Sequence, residues 1–177
     1  MTSRRHEHVA LPDGIVIRPA RTSDVRGIRR LVDAYAVERR LLSKATVTLY
    51  EDVQEFLVAV DGDDVVGCGA LHVMWEDLGE IRTMAVAPER RHGGLGGVLL
   101  ELLIDRAREI GLSRLFCLTF ETEFFARHGF EAIEEAPVST AVFEAMLESN
   151  DEGVAEMLGL ERVKPNTLGN TRMLRHI

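Results

Sequence analysis

The chain has 177 residues, of which 46% are hydrophobic and 28% charged, a composition that fits one globular domain with one core. Its net charge of −8 argues against duplex nucleic acid as a partner, because that ligand needs a basic surface. The apolar stretches are too short to cross a bilayer, and the first residues lack the apolar run of a secretory signal. We therefore expect a cytoplasmic protein with no membrane partner.

The first half of the chain predicts strands and one long helix. Residues 1–14 are polar and end in a Pro-Asp-Gly turn, so we expect a flexible tail ahead of one domain over residues 15–177. The elements predicted next are a strand at 15–17, a helix from about 22 to 39, a hairpin of 56–60 and 65–74 joined by Asp61-Gly62-Asp63-Asp64, and a strand at 80–86 that stops at Pro88.

The second half predicts a clear amphipathic helix followed by shorter elements. That helix covers residues 94–110 and ends at Gly111. The predicted elements after it are a strand at 113–119, a short helix at 123–127, a strand at 130–133, a helix at about 140–147, a less regular segment to 160, and a last strand near 171–177. The strand at 113–119 is nearly all apolar, which is typical of burial on both faces. The pattern predicts one α/β domain with a mixed sheet.

The segment between the strand at 80–86 and the long helix carries the most information. Arg90, Arg91 and His92 are followed by four glycines within five residues. Glycines let backbone N–H groups approach a ligand, and a helix N-terminus adds a partial positive charge. The spacing matches neither GxxxxGK[ST] nor the dinucleotide fingerprint. The segment therefore predicts a pyrophosphate site rather than a turn that only caps a helix.

Two motifs resemble the signatures of the GCN5-related N-acetyltransferases (GNATs). Arg91-x-x-Gly94-x-Gly96, after a strand ending in Met84-Ala85-Val86, is similar to the acetyl-CoA signature of that family. Phe124-Phe125-Ala126-Arg127-His128-Gly129-Phe130 resembles its second signature. The resemblance implies an α/β fold, the single-domain GNAT fold. Its mixed, mostly antiparallel sheet is flanked by helices and splays between strands 4 and 5, here 80–86 and 113–119.

The resemblance also implies where acetyl-CoA, the co-substrate, would bind. The pantetheine arm would pair with the backbone of the strand at 84–86, and the pyrophosphate would rest on the amides of the glycine loop. The implied cofactor-binding residues are Met84, Ala85, Val86, Arg91, His92, Gly93, Gly94, Leu95, Gly96, Gly97 and Phe125. No metal is implied, since the six histidines form no metal-ligand spacing.

Acetyl transfer to an amine requires a neutral amine, a stabilised oxyanion and a leaving thiolate. Glu80 matches the position where many GNATs carry a glutamate that withdraws the amine proton through a water, so we predict that it is the base. A backbone N–H near Met84–Val86 would bind the oxyanion. The usual tyrosine acid of the family falls at Phe125, which has no proton to donate. A thiol pKa near 8.5 makes such assistance worth only about 2 kcal/mol at pH 7, so a water could suffice.

Two other polar side chains in apolar strands invite a catalytic interpretation. His72 could relay protons on the same sheet, but a histidine in an apolar strand is more often a satisfied core residue. Cys117 lies in an apolar strand and predicts an inert buried thiol rather than a nucleophile. With only one other cysteine, Cys68, and no CxxC spacing, neither a disulfide framework nor a zinc site is predicted.

Further stretches narrow the resemblance to the acetyltransferase domain of bacterial N-acetylglutamate synthases. They are Leu78-Gly79-Glu80-Ile81-Arg82, Leu115-Phe116-Cys117-Leu118-Thr119 and Asn170-Thr171-Arg172-Met173-Leu174. The acceptor this implies is L-glutamate, acetylated in the first step of arginine biosynthesis, and a dicarboxylate needs cations. Lys44 and Arg172 match the substrate-binding places of that family. Relatives carry a lysine where this chain has Asp77, and we expect Arg82 to take over its role. The resemblance also allows a homodimer.

Two alternatives stay open. A GNAT that acetylates another small primary amine or a protein N-terminus would be indifferent to glutamate and to the loss of Lys44 or Arg172. A non-catalytic acetyl-CoA-binding regulatory module, which the phenylalanine at 125 suggests, would bind acetyl-CoA without releasing CoA in response to an amine.

Overall fold

The computed structural model describes residues 8–37, 45–160 and 169–177. Within them the strands form one sheet in the order β1-β2-β3-β4-β5-β6-β8-β7. The strands are β1 (Val9–Ala10), β2 (Val16–Pro19), β3 (Phe56–Asp61), β4 (Asp64–Val73), β5 (Leu78–Val86), β6 (Arg114–Thr119), β7 (Glu131–Ile133) and β8 (Thr171–His176). Neighbouring strands are antiparallel except β5 and β6, which are parallel.

Helices cover both faces of this sheet. They are α1 (Val25–Val37), α2 (Thr46–Glu51), α3 (Leu95–Glu109), α4 (Thr122–Arg127), α5 (Thr140–Met146) and α6 (Glu152–Leu158). The larger core includes the apolar faces of α1 and α3, where Leu99 and Leu103 are fully buried. A second, smaller core joins α5 and α6 to the opposite face around Phe116. None of the described helices is long and apolar enough to cross a membrane.

Most of the predicted elements are confirmed, including the β3–β4 hairpin, the long helix α3 and the last strand. Three short elements were not predicted: α2, β1 and α6, the last of which forms in the segment to 160 that was given no helix. Thr46–Glu51 forms the helix α2. Within the predicted flexible tail, Val9 and Ala10 pair with β2, because Val9 and Leu11 pack against the larger core.

The sheet opens between β5 and β6. These parallel strands pair over only three registers, which join Leu78–Glu80 to Arg114–Phe116. Beyond Glu80, β5 continues to Val86 with no described strand on that side, while β6 continues to Thr119 against β8. The predicted splay is therefore confirmed, and it begins at Glu80.

Candidate active site

The open edge of β5 presents backbone groups to the gap. Ala87 N–H donates to Val66 O of β4 at 2.8 Å, and backbone groups alternate in direction along a strand. Val86, one residue earlier, therefore directs its own N–H and C=O away from β4 and into the opening. The Tyr35 hydroxyl on α1 donates a hydrogen bond to that Val86 carbonyl.

A β-bulge interrupts β5 directly before this edge. Thr83 and Met84 together face the single residue Gly69 of β4. Thr83 has a φ of 57°, which is uncommon for a β-branched residue. Bulges occur often beside active sites, where they redirect a strand. Here the bulge separates the paired part of β5 from the part that lines the opening.

The glycine loop has the shape of an anion site. His92 and Gly94 both adopt left-handed conformations, with φ of 69° and 80°, and turns of alternating hand point successive N–H groups to one side. Gly94, the N-cap residue of α3, has no side chain with which to cap the helix, which leaves the first N–H groups of α3 available to a ligand. A Cβ at Gly94 would meet nothing within 4 Å. These residues fit a pyrophosphate.

Two further glycines of the loop, Gly96 and Gly97, lie against α4 and its C-terminal end. A Cβ at Gly96 would lie 3.6 Å from the Phe124 ring, and one at Gly97 would lie 3.3 Å from the His128 ring. A Cβ at Gly96 would make an ordinary van der Waals contact, whereas one at Gly97 would be tight, so glycine at position 97 lets the end of α4 pack closely against the first turn of α3. The sequence interpretation assigned these glycines to the ligand alone and missed this contact.

Arg91 is held beside the loop by Tyr35. The guanidinium carbon lies 4.7 Å from the centre of the Tyr35 ring, and Arg91 Nε donates to the Tyr35 hydroxyl at 2.9 Å. Arg90 instead pairs with Asp61 of the hairpin. Tyr35 thus connects the cationic loop to the open edge of β5, a role that its helical apolar spacing did not reveal.

Glu80 lies where β5 and β6 diverge. It is 4% exposed, and its Oε2 accepts from Arg82 Nη2 at 2.7 Å and Nε at 2.9 Å. Among the described residues, no group donates to Oε1. One carboxylate oxygen is therefore anchored while the other is left for a water or a substrate.

Arg82 is shared by two carboxylates. Besides Glu80, it donates two bonds of 2.9 Å to Asp151. Burial disfavours the guanidinium charge, but the carboxylates outweigh this effect and raise the pKa of Arg82. Burial also opposes the charge of Asp151, yet the hydrogen bonds from Arg82 lower the Asp151 pKa to about 2. The structure therefore places Arg82 as an internal ion-pair partner, and its predicted contact with substrate stays a prediction.

His72 is half-buried and has polar partners on both ring nitrogens, and its possible role as a proton relay stays a prediction. It lies directly opposite Glu80 in the β4–β5 register. Its Nδ1 is 2.6 Å from Glu55 Oε1, and its Nε2 is 3.7 Å from Asp151 Oδ2. Glu55, His72 and Asp151 therefore form a polar network beside Glu80 and Arg82.

Of the other two predicted substrate-binding cations, Arg172 and Lys44, the structure describes only Arg172. Arg172 lies on β8, and its Nη2 donates to Glu156 O of α6 at 3.1 Å. Its Nε is buried and has no hydrogen-bond partner among the residues that the structure describes. Lys44 lies outside the described residues. α6 thus lies over the site from Glu80, near its start, to Arg172, near its end.

Phe125 and Asp77 have structural environments. The Phe125 ring is buried and packs edge to face against Phe124 and Phe130, with 5.2 Å between ring centres in each pair. Its predicted contact with the cofactor stays a prediction. Asp77 forms a two-point ion pair with Arg114 at the start of the β5–β6 pairing. An acid at position 77 is therefore explained by strand pairing.

The two thiols are buried, as their apolar segments predicted. Burial raises the pKa of Cys68 to about 12, and burial together with the charge of Glu80 raises the pKa of Cys117 well above its ordinary value. Neither thiol is therefore activated as a nucleophile. No group of three potential metal ligands occurs among the described residues.

Comparison with known protein families identifies the family to which this chain belongs. The model of the acetyltransferase (GNAT) family matches residues 27–130, which is more than half of the chain. This chain belongs to the GNAT family. The resemblance drawn from the glycine loop and the aromatic pair is thereby confirmed.

Individual proteins and solved structures of high similarity indicate which members of the family this chain resembles. The chain is 59% identical over 162 residues to an amino-acid acetyltransferase of Mycobacterium tuberculosis, covering 90% of this chain and 92% of that relative. A Mycobacterium tuberculosis crystal structure in complex with CoA and NLQ shares 57% identity with a TM-score of 0.87, covering 91% of this chain and 98% of the other. An N-acetylglutamate synthase from Neisseria gonorrhoeae, complexed with coenzyme A and N-acetyl-glutamate, has 28% identity and a TM-score of 0.71. The match covers 92% of this chain and 35% of that synthase.

Proposed function

We propose that this GNAT transfers the acetyl group of acetyl-CoA to the α-amino group of L-glutamate, in the first step of arginine biosynthesis. The observation that carries the proposal is the position of Glu80, a buried carboxylate at the point where β5 and β6 part. The high identity to an amino-acid acetyltransferase supports the reaction class, and the similarity to an N-acetylglutamate synthase supports the acceptor.

Acetyl-CoA supplies the activated acetyl group. The residues that would hold it are the open edge of β5 at Met84–Val86 and the loop from Arg91 to Gly97. Val86 offers an outward N–H and C=O, the first turn of α3 offers uncapped N–H groups, and Arg91 adds a charge positioned by Tyr35. The backbone N–H groups at the end of β5 would also stabilise negative charge on the acetyl oxygen during transfer.

We assign deprotonation of the acceptor amine to Glu80. The α-amino group of an amino acid is charged at neutral pH and cannot attack until it loses a proton. Oε1 of Glu80 has no described donor, so it can accept that proton through a water while Arg82 holds Oε2. Asp151 and Glu55 add negative charge nearby, which favours an ammonium group at this end of the opening.

A second candidate acceptor is an amino acid with an uncharged side chain. The carboxylates of Glu80 and Asp151 both pair with the guanidinium of Arg82, and the carboxylate of Glu55 lies nearby against His72. Arg82 is therefore already compensated and has little to offer a substrate carboxylate. Glutamate stays the first candidate, with its carboxylates assigned to Arg172 and Lys44.

The proposal also covers the cellular location and the partners of the protein. We place the enzyme in the cytoplasm, which agrees with two buried cysteines that carry no disulfide. A homodimer, and the absence of nucleic-acid and membrane partners, stay predictions.

The test is release of CoA by the purified protein with acetyl-CoA and each of the twenty amino acids. Glutamate should give the highest kcat/KM, and Lys44→Ala and Arg172→Ala should raise its KM. A higher value for an uncharged amino acid would support the second candidate. Tight binding of acetyl-CoA without release by any amino acid would overturn the proposal in favour of a regulatory module.

A further inference from the structure

The start of α6 is fixed to the centre of the sheet by one carboxylate. Asp151 Oδ1 accepts from Val154 N at 3.0 Å and so caps α6. The same carboxylate accepts both bonds from Arg82, which in turn holds Glu80. A residue 69 positions along the chain from Arg82 therefore determines how the guanidinium is oriented.

Gly153, in the first turn of α6, is in close contact with the same ion pairs. A Cβ there would lie 2.5 Å from Glu80 Oε2, and 3.1 Å from both Arg82 Nη2 and Asp151 Oδ1. Real Cβ atoms do not approach so closely, so any larger residue would displace the carboxylate. The φ of Gly153 is not positive, which leaves this close approach as the reason for glycine.

We propose that Asp151 and Gly153 are positioning residues that fix the carboxylate of Glu80 through Arg82, so that Oε1 faces the acceptor amine. This inference rests on the proposed role of Glu80 as the base. Asp151 acts by charge and by its two bonds to Arg82. Gly153 acts by leaving room for Oε2 beneath α6.

The charge environment gives the inference a specific pH signature. The ionisable groups around Glu80 are Arg82 on its own strand, His72 on β4, Glu55 before β3, Asp151 before α6 and the neutral thiol of Cys117 on β6. Removing the Asp151 charge leaves Arg82 paired with Glu80 alone and takes one negative charge from the surroundings of Glu80, which favours the Glu80 carboxylate over its protonated form. A residue that only stabilised the fold would not change this balance.

Gly153→Ala tests the steric part. Alanine favours helix over glycine, so the variant should still fold, with an unfolding midpoint lowered by the displacement of the buried ion pair. We expect kcat to fall at least tenfold, while KM for acetyl-CoA changes less than twofold, because only the acceptor side is disturbed.

Asp151→Asn tests the role of the Asp151 charge, since asparagine keeps the N-cap. Its kcat should also fall, and the acid limb of its kcat/KM profile should move to lower pH by half a unit or more.

Asp105→Asn is the matched control, because Asp105 forms an exposed pair with Arg108 on α3. It should leave kcat and the pH profile unchanged. If Gly153→Ala and Asp151→Asn retain wild-type kcat and profile while Glu80→Gln is impaired, the inference is overturned. If Asp151→Asn does not fold, Gly153→Ala decides the question. An inactive wild type would instead contradict the proposed function, so the two failures are distinguishable.

Discussion

Glu80 is buried, yet its Oε1 accepts no hydrogen bond from the residues that the structure describes. Burial of a charge is costly unless the charge is paired, and Arg82 provides that pairing on Oε2 alone. The sequence located Glu80 because the position is local to one strand motif. Asp151 could not be located in this way, because its contact with Arg82 depends on how α6 packs. An Asp before a short helical run indicates an N-cap, but it does not indicate which arginine the carboxylate also binds.

Replacing the base should change the pH dependence of turnover. We expect Glu80→Gln to lower kcat by about 10²- to 10⁴-fold, the usual contribution of a general base. The loss should be largest at low pH, where the amine holds its proton most firmly. Steady-state kinetics from acidic to alkaline pH check this. A profile with the wild-type shape would remove Glu80 from the mechanism.

Asp151 should also make stability depend on pH. Its pKa is lowered to about 2 in the folded chain, below its ordinary value, so its contribution is complete above about pH 4 and is lost as pH falls through 2. Asp151→Asn should therefore cost about 2 kcal/mol at neutral pH. Urea unfolding should show the difference from wild type shrinking as the pH falls from 4. A difference that does not depend on pH would contradict the ion-pair explanation.

At the scale of elements, periodicity was sufficient for the long helix and the central strands. The apolar face of α3 and the apolar run of β6 each correspond to a buried surface. The short helix α2 was missed because six residues give too few turns for a periodic signal. The pairing of Val9 and Ala10 with β2 was missed because it depends on packing rather than on local pattern.

The glycine loop makes a prediction of its own. Gly94 has a φ of 80° and open space at its Cβ position, so Gly94→Ala should add left-handed strain of about 1–2 kcal/mol and place a methyl group in the predicted pyrophosphate site. We expect the Kd for CoA to rise at least about fivefold, which corresponds to about 1 kcal/mol. Calorimetric titration with CoA measures it.

Gly62→Ala is the control for that prediction. Gly62 has a φ of 60° and open space in the β3–β4 turn, so it carries similar strain away from the loop. It should lose similar stability and bind CoA like the wild type. Equal weakening by both variants would assign the effect of Gly94→Ala to strain alone.

At the scale of the whole molecule, different helices cover the two faces of the splayed sheet, and each set leads to a different part of the candidate site. α1 and α3 pack on one face and lead to the glycine loop, while α5 and α6 cover the other face near Glu80. Family motifs predicted the first half of this arrangement. The second half comes from the segment at 137–160, where the sequence predicts one helix at about 140–147. It predicts neither the helix α6 nor the face of the sheet on which the two helices pack.

The most direct test of the account is a crystal structure of the protein with CoA. The pantetheine should lie between β5 and β6 beyond Glu80, with hydrogen bonds of about 3 Å to the backbone of Met84–Val86. The pyrophosphate should contact the amides of residues 92–97. A structure with CoA bound elsewhere, or with β5 and β6 paired along their full length, would contradict the account.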